Sequence, residues 1–251
     1  MPTSLQEVAV PTASPLPAPS RQARAAAWAV HALTMSGLPL AFLAILALIR
    51  DETGWMWLWL ALAMLIDGVD GTCARRARVK DVIPWFDGSV VDIVVDYLTW
   101  TFIPALFMYL HLPLGPAPVA GVLTVTVLVS SLFCYANEGE KSSDNYFVGF
   151  PAAWNIVAVM LWALGTPAVI NVVVTLLFVV LTLVPTHYVH PARVKRLRVV
   201  NITAVGVWLA GTAWLVTVHP VRPLAAMVLS LGGGAWLLLV GALRSARGAE
   251  D

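Results

Sequence analysis

The sequence is poor in charge. Only 12% of its 251 residues are Asp, Glu, Lys or Arg, against roughly 25% in a soluble globular domain. It holds two cysteines, Cys73 and Cys134, both inside apolar stretches. Two isolated thiols are neither a disulfide framework nor a zinc site. The net charge is only +1, so no polyanion partner is expected, nucleic acid included. Residues 1–25 lack an apolar core of the signal-peptide kind. No internal repeat is evident, which disfavours an inverted-repeat transporter.

What is present is hydrophobic. Apolar residues make up 59% of the chain, and the mean hydropathy is +0.82. A soluble fold of this length could not hide so much apolar surface in one core. That excludes a cytosolic enzyme, a secreted disulfide scaffold and a disordered protein, and leaves a polytopic membrane protein. Residues 1–25, rich in Pro, Ala and Ser, read as a flexible cytoplasmic tail. Apolar runs follow at 26–49, 55–74, 88–110, 117–135, 150–165, 168–185, 199–218 and 221–243. Most approach the ~20 residues that cross a bilayer. The expected fold is all-α, with about eight transmembrane helices over 26–243 and a short cytoplasmic tail at 244–251.

The basic residues test that arrangement. With the N-terminus in the cytoplasm, only Arg50 and Arg222 of the 15 Lys and Arg fall on the far side. Such a skew supports an even number of spans with both termini inside.

The main anomaly is Ile66–Asp96, IDGVDGTCARRARVKDVIPWFDGSVVDIVVD. Carboxylates inside spanning helices are costly and usually functional. Asp67, Asp70, Gly71, Ala74 and Arg75 share one face of the second helix by their spacing of three and four. Gly88, Asp92 and Asp96 share one face of the third. Residues 75–87 form a short basic connection, so the two helices are expected to be antiparallel neighbours whose acidic faces meet near the cytoplasmic surface. Four carboxylates in one apolar place repel each other, and a divalent cation relieves this. An all-oxygen set suits Mg²⁺ or Mn²⁺. Gly71 and Gly88 leave room for a bulky ligand against the backbone, and Arg75 offers a bidentate fork for phosphate. Together these features point to phosphoryl-group chemistry on a lipid. A proton relay or a cation-coupled transporter of a small solute is the rival reading of intramembrane aspartates.

These residues resemble the signature of the CDP-alcohol phosphatidyltransferase family, DxxDGxxARx8GxxxDxxxD. Every fixed position is matched, by Asp67, Asp70, Gly71, Ala74, Arg75, Gly88, Asp92 and Asp96. The spacer departs from that form, with 12 residues between Arg75 and Gly88 instead of 8. The longer spacer resembles the family's bacterial phosphatidylcholine synthase branch. So do WAVHALTMSG (Trp28–Gly37), DYLTWTFIPA (Asp96–Ala105), DNYFVGFPAAWN (Asp144–Asn155) and VPTHYVHPARVKRLR (Val184–Arg198).

The resemblance implies transfer of a phosphatidyl group from CDP-diacylglycerol to free choline, with release of CMP. The same chemistry with serine, inositol or glycerol phosphate is the alternative. It also implies a multi-pass protein of the bacterial inner membrane with a cytoplasmic active site, and a homodimer. Asp67, Asp70 and Asp92 would hold Mn²⁺ or Mg²⁺. Asp96 would be the general base on the acceptor hydroxyl and could also touch a metal. Gly71, Ala74, Arg75 and Gly88 would line the cytidine-diphosphate site.

A quaternary ammonium acceptor calls for aromatic faces and a carboxylate. Candidates near the cytoplasmic ends are Trp85, Tyr97, Tyr146, Trp154, Glu138 and Asp144, with Tyr135, Glu140 and Phe150 beside them. Trp and Tyr also gather at membrane interfaces for other reasons. Arg193 is a candidate for a lipid phosphate. His190 before Pro191 reads as a helix-end residue, and Asn155 as an interhelical hydrogen-bonding group. His31 lies near the cytoplasmic end of the first helix with Thr34 one turn on, and both are candidates to approach the nucleotide. Helix packing through Thr34, Ser36 and Gly37 is the expected role there.

Overall fold

The computed structural model describes residues 19–137, 139 and 142–248. The chain is helical almost throughout, with one two-stranded sheet among the described residues. In order the elements are α1 (Arg21–Met35), α2 (Gly37–Ile49), α3 (Thr53–Ala77), α4 (Val79–Val82), α5 (Gly88–Asp96), a π-helical turn (Tyr97–Phe102), α6 (Ile103–His111) and α7 (Ala117–Ala136). Strand β1 (Phe147–Val148), α8 (Trp154–Leu164), α9 (Ala168–Leu183), β2 (His187–Tyr188), α10 (Arg198–Thr217) and α11 (Leu224–Arg247) complete it.

Among the described residues, six helical stretches are long and apolar enough to cross a membrane: Arg21–Ile49, Thr53–Ala77, Gly88–His111, Ala117–Ala136, Arg198–Thr217 and Leu224–Arg247. Apolar side chains face outward on them, as Phe42, Val122 and Val228 show. This is an all-α polytopic membrane protein. The other two expected spans differ. The run at 150–165 is helical only over Trp154–Leu164, and α9 has 16 residues. A helix of 11 residues rises only about 16 Å, short of a hydrocarbon core of about 30 Å. The preceding stretch is non-helical but buried: Phe150, Ala152 and Ala153 belong to the main core, with Ala152 at a φ of 52°. Its amides are satisfied within the protein, Gly149 donating to the Thr186 carbonyl and Phe150 to that of Leu181. Non-helical backbone at membrane depth is tolerable where protein covers it.

Helical structure reaches into both stretches expected as tails. Helix α1 begins at Arg21 because the Ser20 hydroxyl caps it, accepting from the Ala23 amide at 3.1 Å. Residues 1–18 lie outside the described residues. At the other end α11 runs to Arg247. Arg244 and Ser245 tie its last turns to the sheet region, as described below, and residues 249–251 lie outside the described residues.

Two prolines shape the site-bearing helices. Pro39 cannot continue the hydrogen-bond ladder, and α1 gives way to α2 at Ser36. Pro104 does the same to α6, and the chain absorbs it with the wider π turn at Tyr97–Phe102, directly after Asp96. Thr101, in that turn, donates across the fold to the Ala152 carbonyl at 3.2 Å. The core itself lies among α2, α3, α6, α7 and α8, around Met56, Leu60, Phe107 and Trp154. Helices α10 and α11 form a tight pair at Gly233, where a Cβ would meet the Ala204 carbonyl oxygen at 2.6 Å.

Candidate active site

Three of the four motif carboxylates meet. Asp67 and Asp70, one turn apart on α3, face Asp92 on α5, and one oxygen from each lies within 4.8 Å of the others. Asp70 is buried. Its Oδ2 accepts from the Thr34 hydroxyl of α1 at 2.7 Å. A charge-assisted bond of this kind fixes the carboxylate's rotamer. The donor set is all oxygen, unmixed with His or Cys, and its three charges converge on one point. It fits a hard divalent cation.

Asp96, the fourth motif carboxylate, lies four residues beyond Asp92, about 6 Å further along the helix axis, at the start of the π turn. Asp67, Asp70 and Asp92 are close enough together to share one metal ion. Beside Asp96 is an aromatic corner. Tyr135 lies within electrostatic reach of both Asp96 and Asp67. The Tyr97 ring meets it edge-on, with centroids 5.6 Å apart. The Tyr97 hydroxyl donates to the Leu128 carbonyl at 3.3 Å.

The two motif glycines have different neighbours. At Gly88 the space for a side chain is filled by His31, whose Cε1 would lie 2.6 Å from an added Cβ. His31 is buried, packed edge-on against Phe86 and Trp28. Gly88 therefore admits an imidazole from α1, where the sequence suggested a ligand. At Gly71 the neighbours are guanidinium tips: Arg75 Nη1 at 3.5 Å and Arg193 Nη2 at 3.8 Å from the Cβ position. Ala74 is partly buried against Ala27, Val79 and Ile83. Helix α5 is capped by Asp87, which accepts from the Ser89 amide at 2.9 Å and the Ser89 hydroxyl at 2.5 Å. Those bonds hold the exposed Asp87 carboxyl below its ordinary range, and its charge suits a helix N-terminus.

The proposed choline residues are dispersed. Of the five described, Tyr97 lies beside the carboxylate site, next in the chain to Asp96. Trp154 is fully buried, donating from Nε1 to the Ser131 hydroxyl at 2.9 Å. Trp85 is exposed on a cleft of about 430 Å³, lined by Pro19, Arg24, Trp28, Val82 and Ile83, where the Arg24 charge opposes a cationic guest. Asp144 is committed to Arg244, whose Nε donates to its Oδ2 at 2.6 Å. With help from the Ser142 hydroxyl, this pairing holds the Asp144 carboxyl below its usual range. Tyr146 is buried with the same guanidinium 5.8 Å from its ring centre. Glu138 and Glu140 lie outside the described residues. Phe150 is a core residue, packed on Phe178 and Tyr188. Asn155 turns back onto its own helix, accepting from the Ile156 amide at 2.7 Å.

Sequence reasoning gave Thr34 to helix packing, whereas its hydroxyl reaches the metal triad. Arg244 went unnoticed. Neither has a local signal, because the partners are 36 and 100 positions away.

The carboxylate triad, Arg75 and the flanking helices lie in a stretch that the family model for CDP-alcohol phosphatidyltransferase matches, residues 28–186. The chain belongs to the CDP-alcohol phosphatidyltransferase family. This phosphatidyltransferase is 45% identical over 224 residues to phosphatidylcholine synthase of Pseudomonas aeruginosa, covering 89% of the chain and 94% of the relative. It is 36% identical over 217 residues to the phosphatidylcholine synthase of Agrobacterium fabrum, covering 86% and 90%. To that of Borreliella burgdorferi it is 30% identical over 176 residues, covering 70% and 75%.

Proposed function

We propose that this phosphatidyltransferase moves the phosphatidyl group of CDP-diacylglycerol to free choline and releases CMP. The observation that carries the reading is the carboxylate triad with Asp96 one turn beyond it, in a chain whose relatives are phosphatidylcholine synthases. The chemistry divides between these groups. Asp67, Asp70 and Asp92 would hold Mn²⁺ or Mg²⁺, which when bound neutralises charge on the donor's diphosphate. Asp96 accepts the proton of the choline hydroxyl as its oxygen attacks the phosphorus that bears the diacylglycerol. The new bond joins choline oxygen to that phosphorus. The bond that breaks is the anhydride link, and its electron pair leaves with CMP.

Choline's ammonium has no proton to donate, so it is recognised by aromatic faces and charge. The Tyr97–Tyr135 corner beside Asp96 supplies both. The skew of Lys and Arg supports a site on the cytoplasmic side of the inner membrane and 26–243 as one transmembrane domain.

The test is an acceptor panel. Purified protein receives CDP-diacylglycerol and Mn²⁺ with choline, serine, inositol or glycerol phosphate, and the lipid product is identified. Phosphatidylcholine from choline alone supports the reading. A different lipid keeps the chemistry and overturns the acceptor. Absence of product and of CMP with every alcohol, from folded protein, overturns both.

A further inference from the structure

The family match ends at residue 186. Arg193 lies beyond it, on the connection between β2 and α10. Yet its guanidinium reaches α3, where Nη2 comes to 3.8 Å from the Cβ position of Gly71, beside the Arg75 Nη1 at 3.5 Å. Two guanidinium groups from separate parts of the chain thus crowd one point, one residue past Asp70.

The placement is built from below. The amides of Arg193 and Val194 both donate to the His190 carbonyl at 3.1 Å, closing a turn. Val194 is buried in a small core with Val189, Tyr146 and Val240. Helix α11 holds the strand before the turn. A Cβ at Gly241 would meet the His187 carbonyl oxygen at 2.2 Å, and Ser245 accepts from the His187 amide at 2.7 Å. Arg193 therefore projects from a fixed turn, unlike Arg196 and Arg198, which are exposed. Arg75 is oriented too, Nη2 donating to the Thr72 hydroxyl at 3.0 Å.

Like charges brought together this way repel unless an anion lies between them. Guanidinium forks match phosphate oxygens in geometry as well as charge. The glycine beneath leaves the backbone open, and Asp67 and Asp70 of the metal triad precede it on the same helix.

We propose that Arg193 and Arg75 form a two-armed clamp on the diphosphate of the donor nucleotide. Arg193 is a donor-binding residue outside the family's motif. The inference rests on the phosphatidyl-transfer reading but not on which alcohol accepts.

The test uses the full chain in nanodiscs with Mn²⁺, and compares binding of CDP with binding of cytidine, which has no phosphate. In Arg193→Ala, CDP affinity falls about ten- to a hundredfold, the range for loss of charge-assisted hydrogen bonds. Cytidine affinity stays within about twofold, a bound set by the absence of any phosphate contact to lose. Arg193→Lys, which keeps the charge but not the fork, falls between. In turnover the KM for CDP-diacylglycerol rises and the KM for choline does not. Unchanged CDP binding overturns the clamp, as does equal loss of CDP and cytidine in the Ala and Lys variants. A rise confined to the choline KM also overturns it. If the wild type makes no phosphatidylcholine while Arg193→Ala still loses CDP selectively, the acceptor assignment falls and the clamp stands.

Discussion

The imidazole of His31 occupies the place a side chain at residue 88 would need. Helix α1 packs against α5 at this point, and the start of α2 does so where Gly37 faces Val95, whose Cγ1 lies 2.4 Å from its Cβ position. Gly88 is thus a packing requirement that sets the height of α5, and with it of Asp92. Gly88→Ala forces a contact of 2.6 Å onto a buried ring. Overpacking of this kind costs about 1–3 kcal/mol. The double variant Gly88→Ala/His31→Ala should regain much of the loss. Thermal unfolding in detergent of both singles and the double measures the coupling. Additive effects would show that the two residues do not interact.

Thr34 is the second point at which α1 governs the site. Its hydroxyl orients the buried Asp70 carboxylate. Outer-shell partners of metal ligands are worth about 10–100-fold in metal affinity. Thr34→Val should raise the Mn²⁺ concentration for half-maximal activity by that order, and Thr34→Ser should restore it. The check is a Mn²⁺ titration at saturating CDP-diacylglycerol. An unmoved midpoint would make the bond incidental.

Much of this was legible in the sequence because helical periodicity is local. Spacings of three and four put Asp67 with Asp70, and the short spacer brought Asp92 opposite them. Apolar runs near 20 residues likewise marked the six long helices. Other features depend on distant contacts. The apolar run at 150–165 looks like a span, but its first residues are not helical: the Phe150 amide donates to the Leu181 carbonyl and Ala152 has a positive φ. The neighbour of Gly88 is 57 positions away by number, in α1, and no pattern in either segment announces it. Aromatic residues at the cytoplasmic ends were equivalent in sequence. Packing separated Tyr97, at the site, from Trp154, in the core.

Trp154 therefore acts on stability. Trp154→Phe loses the bond to Ser131 and leaves a void among Phe150 and its neighbours. The expected cost is about 1–3 kcal/mol, with the KM for choline unchanged. Tyr97→Ala should do the reverse, raising that KM with a smaller effect on unfolding. Steady-state kinetics and thermal unfolding of the pair separate the two roles, and a choline KM that follows Trp154 would reverse the assignment.

The Asp144–Arg244 pair gives a pH dependence of known sign. Arg244, then Ser142, depress the Asp144 carboxyl. A depressed carboxyl contributes stability that is fully present above its unfolded value of about 3.9 and is lost as pH falls through the folded value. The wild type should lose thermal stability on acidification below about pH 4 by more than Asp144→Asn does. Unfolding profiles over that range make the comparison, and parallel profiles would show that the pair contributes nothing.

The most direct test of phosphatidyl transfer at this site counts both products in one reaction. Purified protein in nanodiscs receives CDP-diacylglycerol, labelled choline and Mn²⁺, beside Asp96→Asn under the same conditions. The account predicts one phosphatidylcholine per CMP in the wild type. It predicts that both fall together by about 10²–10⁴-fold in Asp96→Asn, while CDP still binds. CMP release without labelled lipid, or undiminished phosphatidylcholine from Asp96→Asn, would contradict it.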